Sequence, residues 1–180
     1  PDDTFGSNFS VSIDSDSLSV TEGDTVTVSA TIKNTGGQSG TQTIRLDAGG
    51  LGIATKDVTL NGGESTTEQL SVGTSDGDAG DYTLNVTSAN TADTVDLSVA
   101  EPTPASFDVR INDGASTTDV TAGEDAIINA DIENLGQETA SQTIDFTVGG
   151  ANVGSAEVGN LVGGATETVE FTYSTEAADD

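Results

Sequence analysis

Apolar residues in this chain occupy every second position over short stretches, and clusters of Gly, Asn and Asp separate the stretches. Val26, Val28, Ala30 and Ile32 fall on one face, while Thr25, Thr27, Ser29 and Thr31 fall on the other. Successive side chains of a strand point to opposite sides, so a period of two marks a half-buried β-strand. The alternation continues at Ile44 and Leu46, Val58 and Leu60, Leu70 and Val72, then Leu84 and Val86. It predicts strands at 9–13, 18–20, 25–33, 40–47, 54–60, 66–72, 81–87 and 94–99. Turns fall at Glu22-Gly23-Asp24, Asn34-Thr35-Gly36-Gly37 and Asn61-Gly62-Gly63. A second series follows at 107–111, 118–120, 126–133, 140–148, 152–162 and 166–173. No stretch carries a helical period. Many short strands at regular spacing predict an all-β, antiparallel sandwich architecture.

The second series copies the first about a hundred residues later. Val20-Thr21-Glu22-Gly23-Asp24 recurs as Val120-Thr121-Ala122-Gly123-Glu124, and Thr41-Gln42-Thr43-Ile44 as Ser141-Gln142-Thr143-Ile144. Gly62-Gly63 recurs as Gly163-Gly164, one residue out of step. So long a period is a whole β-domain rather than a solenoid unit. The organisation expected is an extension over 1–8, a first domain over 9–100, a linker over 101–106 carrying Pro102 and Pro104, and a second domain over 107–180. Proline cannot join a ladder and stiffens such a connection. The copies part company late. After Val72 the first has two further strands, whereas after the matching Tyr173 the second has seven residues. The second domain is thus expected to lack its last two strands, leaving a bare edge and an open core. Either the sequence is a fragment or those strands come from elsewhere.

Charge changes the picture more than composition does. Asp and Glu number 31 against four basic residues, Lys33, Arg45, Lys56 and Arg110, for a formal net charge of -27. Hydrophobic residues make up 33% and aromatic residues 4% of the chain, so the core must be small and aliphatic. Such values suit a disordered chain, but disorder has no reason to keep a period of two. Dispersed carboxylates repel one another in dilute salt. At 1 M salt the Debye length falls to about 3 Å and the repulsion largely vanishes. This surface resembles that of proteins from extreme halophiles, especially haloarchaea. It also argues against binding nucleic acid or anionic lipid. Without Cys, neither disulfide nor thiolate metal site exists. No apolar run approaches the roughly 20 residues of a membrane helix, so insertion of this chain into a membrane is not expected. The chain begins at Pro1, as a processed product or a fragment would.

Two elements carry a family resemblance. An aliphatic strand ends in Ile-x-Asn-x-Gly at Ile32-Lys33-Asn34-Thr35-Gly36 and again at Ile132-Glu133-Asn134-Leu135-Gly136. A Gly-Gly-x-Ser/Thr step follows at Gly62 to Ser65 and Gly163 to Thr166, and Ala79-Gly80-Asp81-Tyr82-Thr83 opens a late strand. Together these resemble CARDB-type domains, named for a link with cell adhesion. The resemblance implies two tandem Ig-like sandwiches of the kind found in bacterial and archaeal surface proteins. Tyr82 resembles the corner tyrosine of Ig-like folds. The matching residues build folds, and a fold hosts many functions.

Candidate chemistry is sparse. Asp76, Asp78 and Asp81 alternate around glycine and offer oxygen ligands of the kind calcium takes. The distal bidentate Glu of an EF-hand loop is absent, and a solvated turn is the competing reading. Asn8-Phe9-Ser10 and Asn85-Val86-Thr87 are glycosylation sequons. Asn85 is expected to point outward because Leu84 and Val86 point in. With neither His nor Cys, the usual bases and nucleophiles are missing. Lys33 and Lys56 sit in strand-like positions, and Lys33 is replaced by Glu133 in the second copy, which argues against a Ser-Lys pair or a Lys–Asn crosslink. The expectation is a non-enzymatic, extracellular structural or adhesive module of a halophilic cell surface, with no cofactor. Its partners would be copies of itself or other surface proteins. A strand from residues 1–7, or the strand at 9–13, could fill the open edge of a neighbour and build a filament. The alternative is a carbohydrate- or calcium-binding accessory module of a secreted protein.

Overall fold

The computed structural model describes residues 6–176, and the chain divides into two units between Glu101 and Pro102. The first unit contains eight strands: β1 (Phe9–Ile13), β2 (Ser17–Thr21), β3 (Thr25–Asn34), β4 (Gly40–Asp47), β5 (Ile53–Leu60), β6 (Ser65–Gly73), β7 (Gly80–Thr87) and β8 (Ala92–Ala100). They form one sheet of order β1-β3-β6 and another of order β2-β8-β7-β4-β5. All pairings are antiparallel except β2 with β8, which run parallel from Ser17↔Asp96 to Thr21↔Ala100. The alternating residues meet between the sheets. Eighteen apolar side chains are buried there, among them Phe9, Ile32, Leu46, Leu84 and Leu97.

The second unit has β9 (Phe107–Ile111), β10 (Asp125–Asn134), β11 (Ala140–Val148), β12 (Ala151–Leu161) and β13 (Thr166–Ser174). These make a sheet of order β13-β10-β9 facing the pair β11-β12. Nine apolar residues are buried between them. Each buried aliphatic contributes about 1.5–3 kcal/mol, so this unit has about half the hydrophobic driving force of its neighbour.

One expected strand is not formed. Residues 118–120 lie outside any ladder, and the backbone there makes a single bridge, Thr117↔Ile127. The matching segment of the first unit, β2, is a strand because β8 pairs with it. The described residues of the second unit offer no β8. A second detail explains the one-residue offset between copies. The ladder of β11 with β12 shifts register between Ala140 and Gln142, next to Asn160 at φ 49. Asn tolerates this left-handed backbone, so the extra residue is taken up as a bulge.

The Ile-x-Asn-x-Gly motif is the latch of each sandwich. Asn34 is fully buried, and every hydrogen-bonding position of its side chain is used. Its Oδ1 accepts from the backbone N–H of Asn8 and of Gly36, both at 3.0 Å. Its Nδ2 donates to the carbonyls of Gln38 at 2.7 Å and Leu60 at 3.2 Å. Asn134 repeats this with Ser106 N–H, Gly136 N–H, Glu138 carbonyl and Leu161 carbonyl. The glycine two residues on is required by close approach: a Cβ on Gly36 would fall on the Gly6 carbonyl, and one on Gly136 on the Pro104 carbonyl. Tyr82 behaves as a corner tyrosine, its hydroxyl donating to the Asp78 carbonyl at 2.7 Å. Thr103 is bonded to Gln137, and Ser106 to Asn134, so residues at the end of the linker are held by the second unit.

Candidate interaction surface on the second unit

In the first unit β7 and β8 close one flank of the sandwich. β7 pairs with β4 through Arg45↔Thr87, Leu46↔Val86 and Asp47↔Asn85. Leu84, Val86, Val95, Leu97 and Val99 are buried as a result. β8 also covers the outer edge of β1 by an unusual route. The outward N–H groups of Phe9, Val11 and Ile13 donate to the side chains of Asn90, Thr91 and Asp93 at 3.0, 2.9 and 2.7 Å. An edge that would otherwise recruit another strand is satisfied by side-chain oxygens.

Among its described residues, the second unit leaves the same flank uncovered. β11 pairs with β12 and, among the described residues, with no other strand. Val11 is 8% exposed, whereas its counterpart Val109 is 47% exposed and Ile111 60%. Leu46 and Ala48 are fully buried, but Phe146 is half-buried and Val148 is exposed. Phe146 is held in place by stacking on Phe171, with ring centroids 5.0 Å apart and planes 14° apart. A groove of about 540 Å³ runs between β9 and β11, lined by Ala105, Phe107, Val109 and the stretch from Gln142 to Asp145. Arg110, the one basic residue of Pro102–Asp180, stands on β9 and pairs with Asp108 at 2.6 Å.

The sequence-flagged residues are spread widely. Asp76 is exposed in the turn before β7, and Asp81 is exposed on β7 itself, lining a shallow groove with Tyr82, Thr83 and Asp96. The Asp78 carboxylate accepts the Ser75 N–H at 2.7 Å. Among the described residues no group of three acidic side chains is placed to hold a metal ion. Asn8 is exposed at the start of β1. Asn85 does alternate away from the core, but it is half-buried on a central strand between Asp47 and Thr94, and its Oδ1 is buried with no hydrogen-bond partner. Lys56 pairs with Glu68 at 2.5 Å, and Lys33 is exposed on β3. Strand 9–13, expected as a donor, is built into its own sheet: Phe9 is fully buried and paired with Asn34. Residues 1–5 of the other expected donor lie outside the described residues, and Gly6 and Ser7 pack against the turn after β3. The capping side chains Asn90, Thr91 and Asp93 carry no local sequence signal beyond a run of short acceptors before a strand.

Among solved structures, a β-glucosidase from Listeria innocua in complex with glucose is similar over 54% of this chain and 17% of its own, at 20% identity and TM-score 0.45. The S-layer protein SbsC is similar through its domains 5–6, over 97% of this chain and 99% of that one, at 13% identity and TM-score 0.34. Domains 4–9 of SbsC match over 95% of this chain and 31% of that one, at 15% identity and TM-score 0.32. Likenesses this distant carry no functional argument. No curated protein matches the sequence. The family comparison is of a different kind, because it covers both copies: residues 6–101 and 105–180 each match CARDB, and the chain belongs to that family as a tandem of two CARDB domains.

Proposed function

We propose that this chain is a non-enzymatic structural module of a halophilic cell surface, joined to its neighbours by strand addition at the β11 flank. The observation that carries the reading is the contrast between two copies of one domain. The first is closed by β7 and β8, and among its described residues the second leaves Val109 and Val148 exposed and Phe146 half-buried at the same place. An unpaired edge beside exposed apolar side chains is the usual acceptor for an added strand. A contact between different faces of identical subunits propagates without closing, which gives a filament. The dispersed charge supports a briny setting, and membership of the CARDB family supports an extracellular one.

Electron microscopy of the purified chain in molar salt tests this. Filaments are expected, and Val109→Asp is expected to abolish them. Val109 is 47% exposed, so the substitution leaves the fold intact while placing a charge in the groove. Monodisperse single particles at high concentration would contradict the reading.

A further inference from the structure

Most asparagines of this chain have a structural task. Asn34 and Asn134 latch their sandwiches, and Asn90 caps β1. Asn112 donates to Asp131, Asn129 donates to the Ala115 carbonyl, and Asn160 occupies the left-handed region at φ 49. Asn8 is different. Its side chain is exposed, and among the described residues the amide group makes no hydrogen bond. What holds Asn8 is its main chain. The N–H donates to Asn34 Oδ1 at 3.0 Å, and the carbonyl accepts from the Thr35 N–H at 2.7 Å and the Thr35 hydroxyl at 3.0 Å. The second unit has Ser106 at the corresponding place, where the N–H donates to Asn134 and the carbonyl accepts from Leu135. The fold therefore needs backbone here and no particular side chain. What the asparagine adds is the triplet Asn8-Phe9-Ser10, an acceptor sequence for N-linked glycans. Its counterpart, Ser106-Phe107-Asp108, is not one.

Resting on the extracellular setting proposed above, we infer that the folded chain carries an N-linked glycan on Asn8 and none on Asn85, the other asparagine in such a triplet. Transfer joins Nδ2 of Asn8 to the anomeric carbon of an oligosaccharide held on a lipid phosphate. The bond from that carbon to the phosphate oxygen breaks, the lipid phosphate leaves, and an amide proton passes to a base of the transferase. In the folded protein Phe9 is fully buried, and the Ser10 hydroxyl donates to the Lys33 carbonyl at 3.4 Å. The triplet is thus open to an enzyme before β1 joins β3. Once the chain folds, the two sites part. A glycan on Asn8 leaves from an exposed side chain, and every main-chain bond of the latch stays in place. A glycan on Asn85 has to leave from the central strand β7, between Asp47 of β4 and Thr94 of β8. There the residue is half-buried and its Oδ1 is sealed from solvent. Its neighbours Leu84 and Val86 are fully buried, so β7 cannot shift outward to make room.

The test is peptide mapping by mass spectrometry of the chain exported by a halophilic archaeon and recovered folded in molar salt. An exported host protein glycosylated at an Asn-x-Ser triplet is mapped alongside, as proof that the transferase is at work. A glycan mass is expected on the peptide holding Asn8 and none on the peptide holding Asn85. Asn8→Gln and Ser10→Ala are each expected to abolish the modification, whereas Ser10→Thr and Asn85→Gln are expected to retain it. Because the Asn8 side chain carries no bond of the fold, Asn8→Gln is expected to leave the melting temperature of the first unit unchanged. A bare Asn8, or a glycan on Asn85, in a chain that still forms filaments would overturn the inference and leave the surface reading standing. A chain glycosylated at Asn8 that forms no filaments would uphold the inference and overturn the assembly. A bare and monodisperse chain would end both.

Discussion

Asn34→Asp is expected to cost the first unit about 4 kcal/mol, and Asn134→Asp to unfold the second outright. The change is nearly isosteric, so the loss comes from hydrogen bonding rather than packing. In each unit the amide nitrogen donates to two carbonyls, Gln38 and Leu60 or Glu138 and Leu161. A carboxylate turns both bonds into contacts between acceptors in a fully buried site. An unsatisfied buried group costs about 1–3 kcal/mol, and a buried unpaired charge costs more. Ionisation can be suppressed, but a protonated acid restores one donor at most. The two units differ in what they can absorb, because one buries eighteen apolar residues and the other nine. Calorimetry in molar salt should show the first transition lowered by Asn34→Asp and the second erased by Asn134→Asp. Asn8→Asp, at an exposed side chain, is expected to leave both unchanged. Equal stability of Asn134→Asp and the parent would remove the latch from the account.

Dialysis into dilute buffer is expected to unfold the chain, and the second unit first. Pro102–Asp180 holds fifteen acidic residues against Arg110, while Pro1–Glu101 holds sixteen against Lys33, Arg45 and Lys56. The unit with fewer residues and half the core thus carries at least as much excess charge. The ion pairs Lys56 with Glu68 and Arg45 with Asp47 each have an exposed basic member and contribute about 1 kcal/mol or less each. Screening is then the principal defence. Its range grows from about 3 Å at 1 M to about 30 Å at 0.01 M salt, so carboxylates on neighbouring strands begin to act together. Circular dichroism and hydrogen exchange during stepwise dilution should show β10–β13 losing protection before β3–β8. Retention of the full β signal in dilute buffer would contradict the halophilic reading.

The strands were legible because each alternation of aliphatic and Thr or Ser residues is local, and the sandwich follows from their number. Residues 118–120 were misread for a reason of the same kind. Their Val-Thr pattern copies β2, but a strand exists only where a partner lies beside it, and that partner is eighty residues away in the first unit. The Asn34 motif was visible as a repeated word, while its meaning was not. Two of its four bonds reach backbone groups 26 residues away, Asn8 and Leu60, and these leave no trace in spacing. The open flank could be read by subtracting one copy from the other. The capping of the β1 edge could not, since side-chain contacts such as Asn90 on Phe9 follow no periodic rule. The offset of one residue at Gly163-Gly164 was a visible sign of the bulge at Asn160.

The central claim is that the β11 flank is where this protein receives a strand. Hydrogen exchange with mass spectrometry, comparing dispersed and assembled protein in the same molar salt, tests it most directly. The account predicts a marked gain in protection within β11 on assembly, with β10, already paired on both sides, nearly unchanged. Assembled protein whose β11 amides exchange as fast as those of dispersed protein would contradict it.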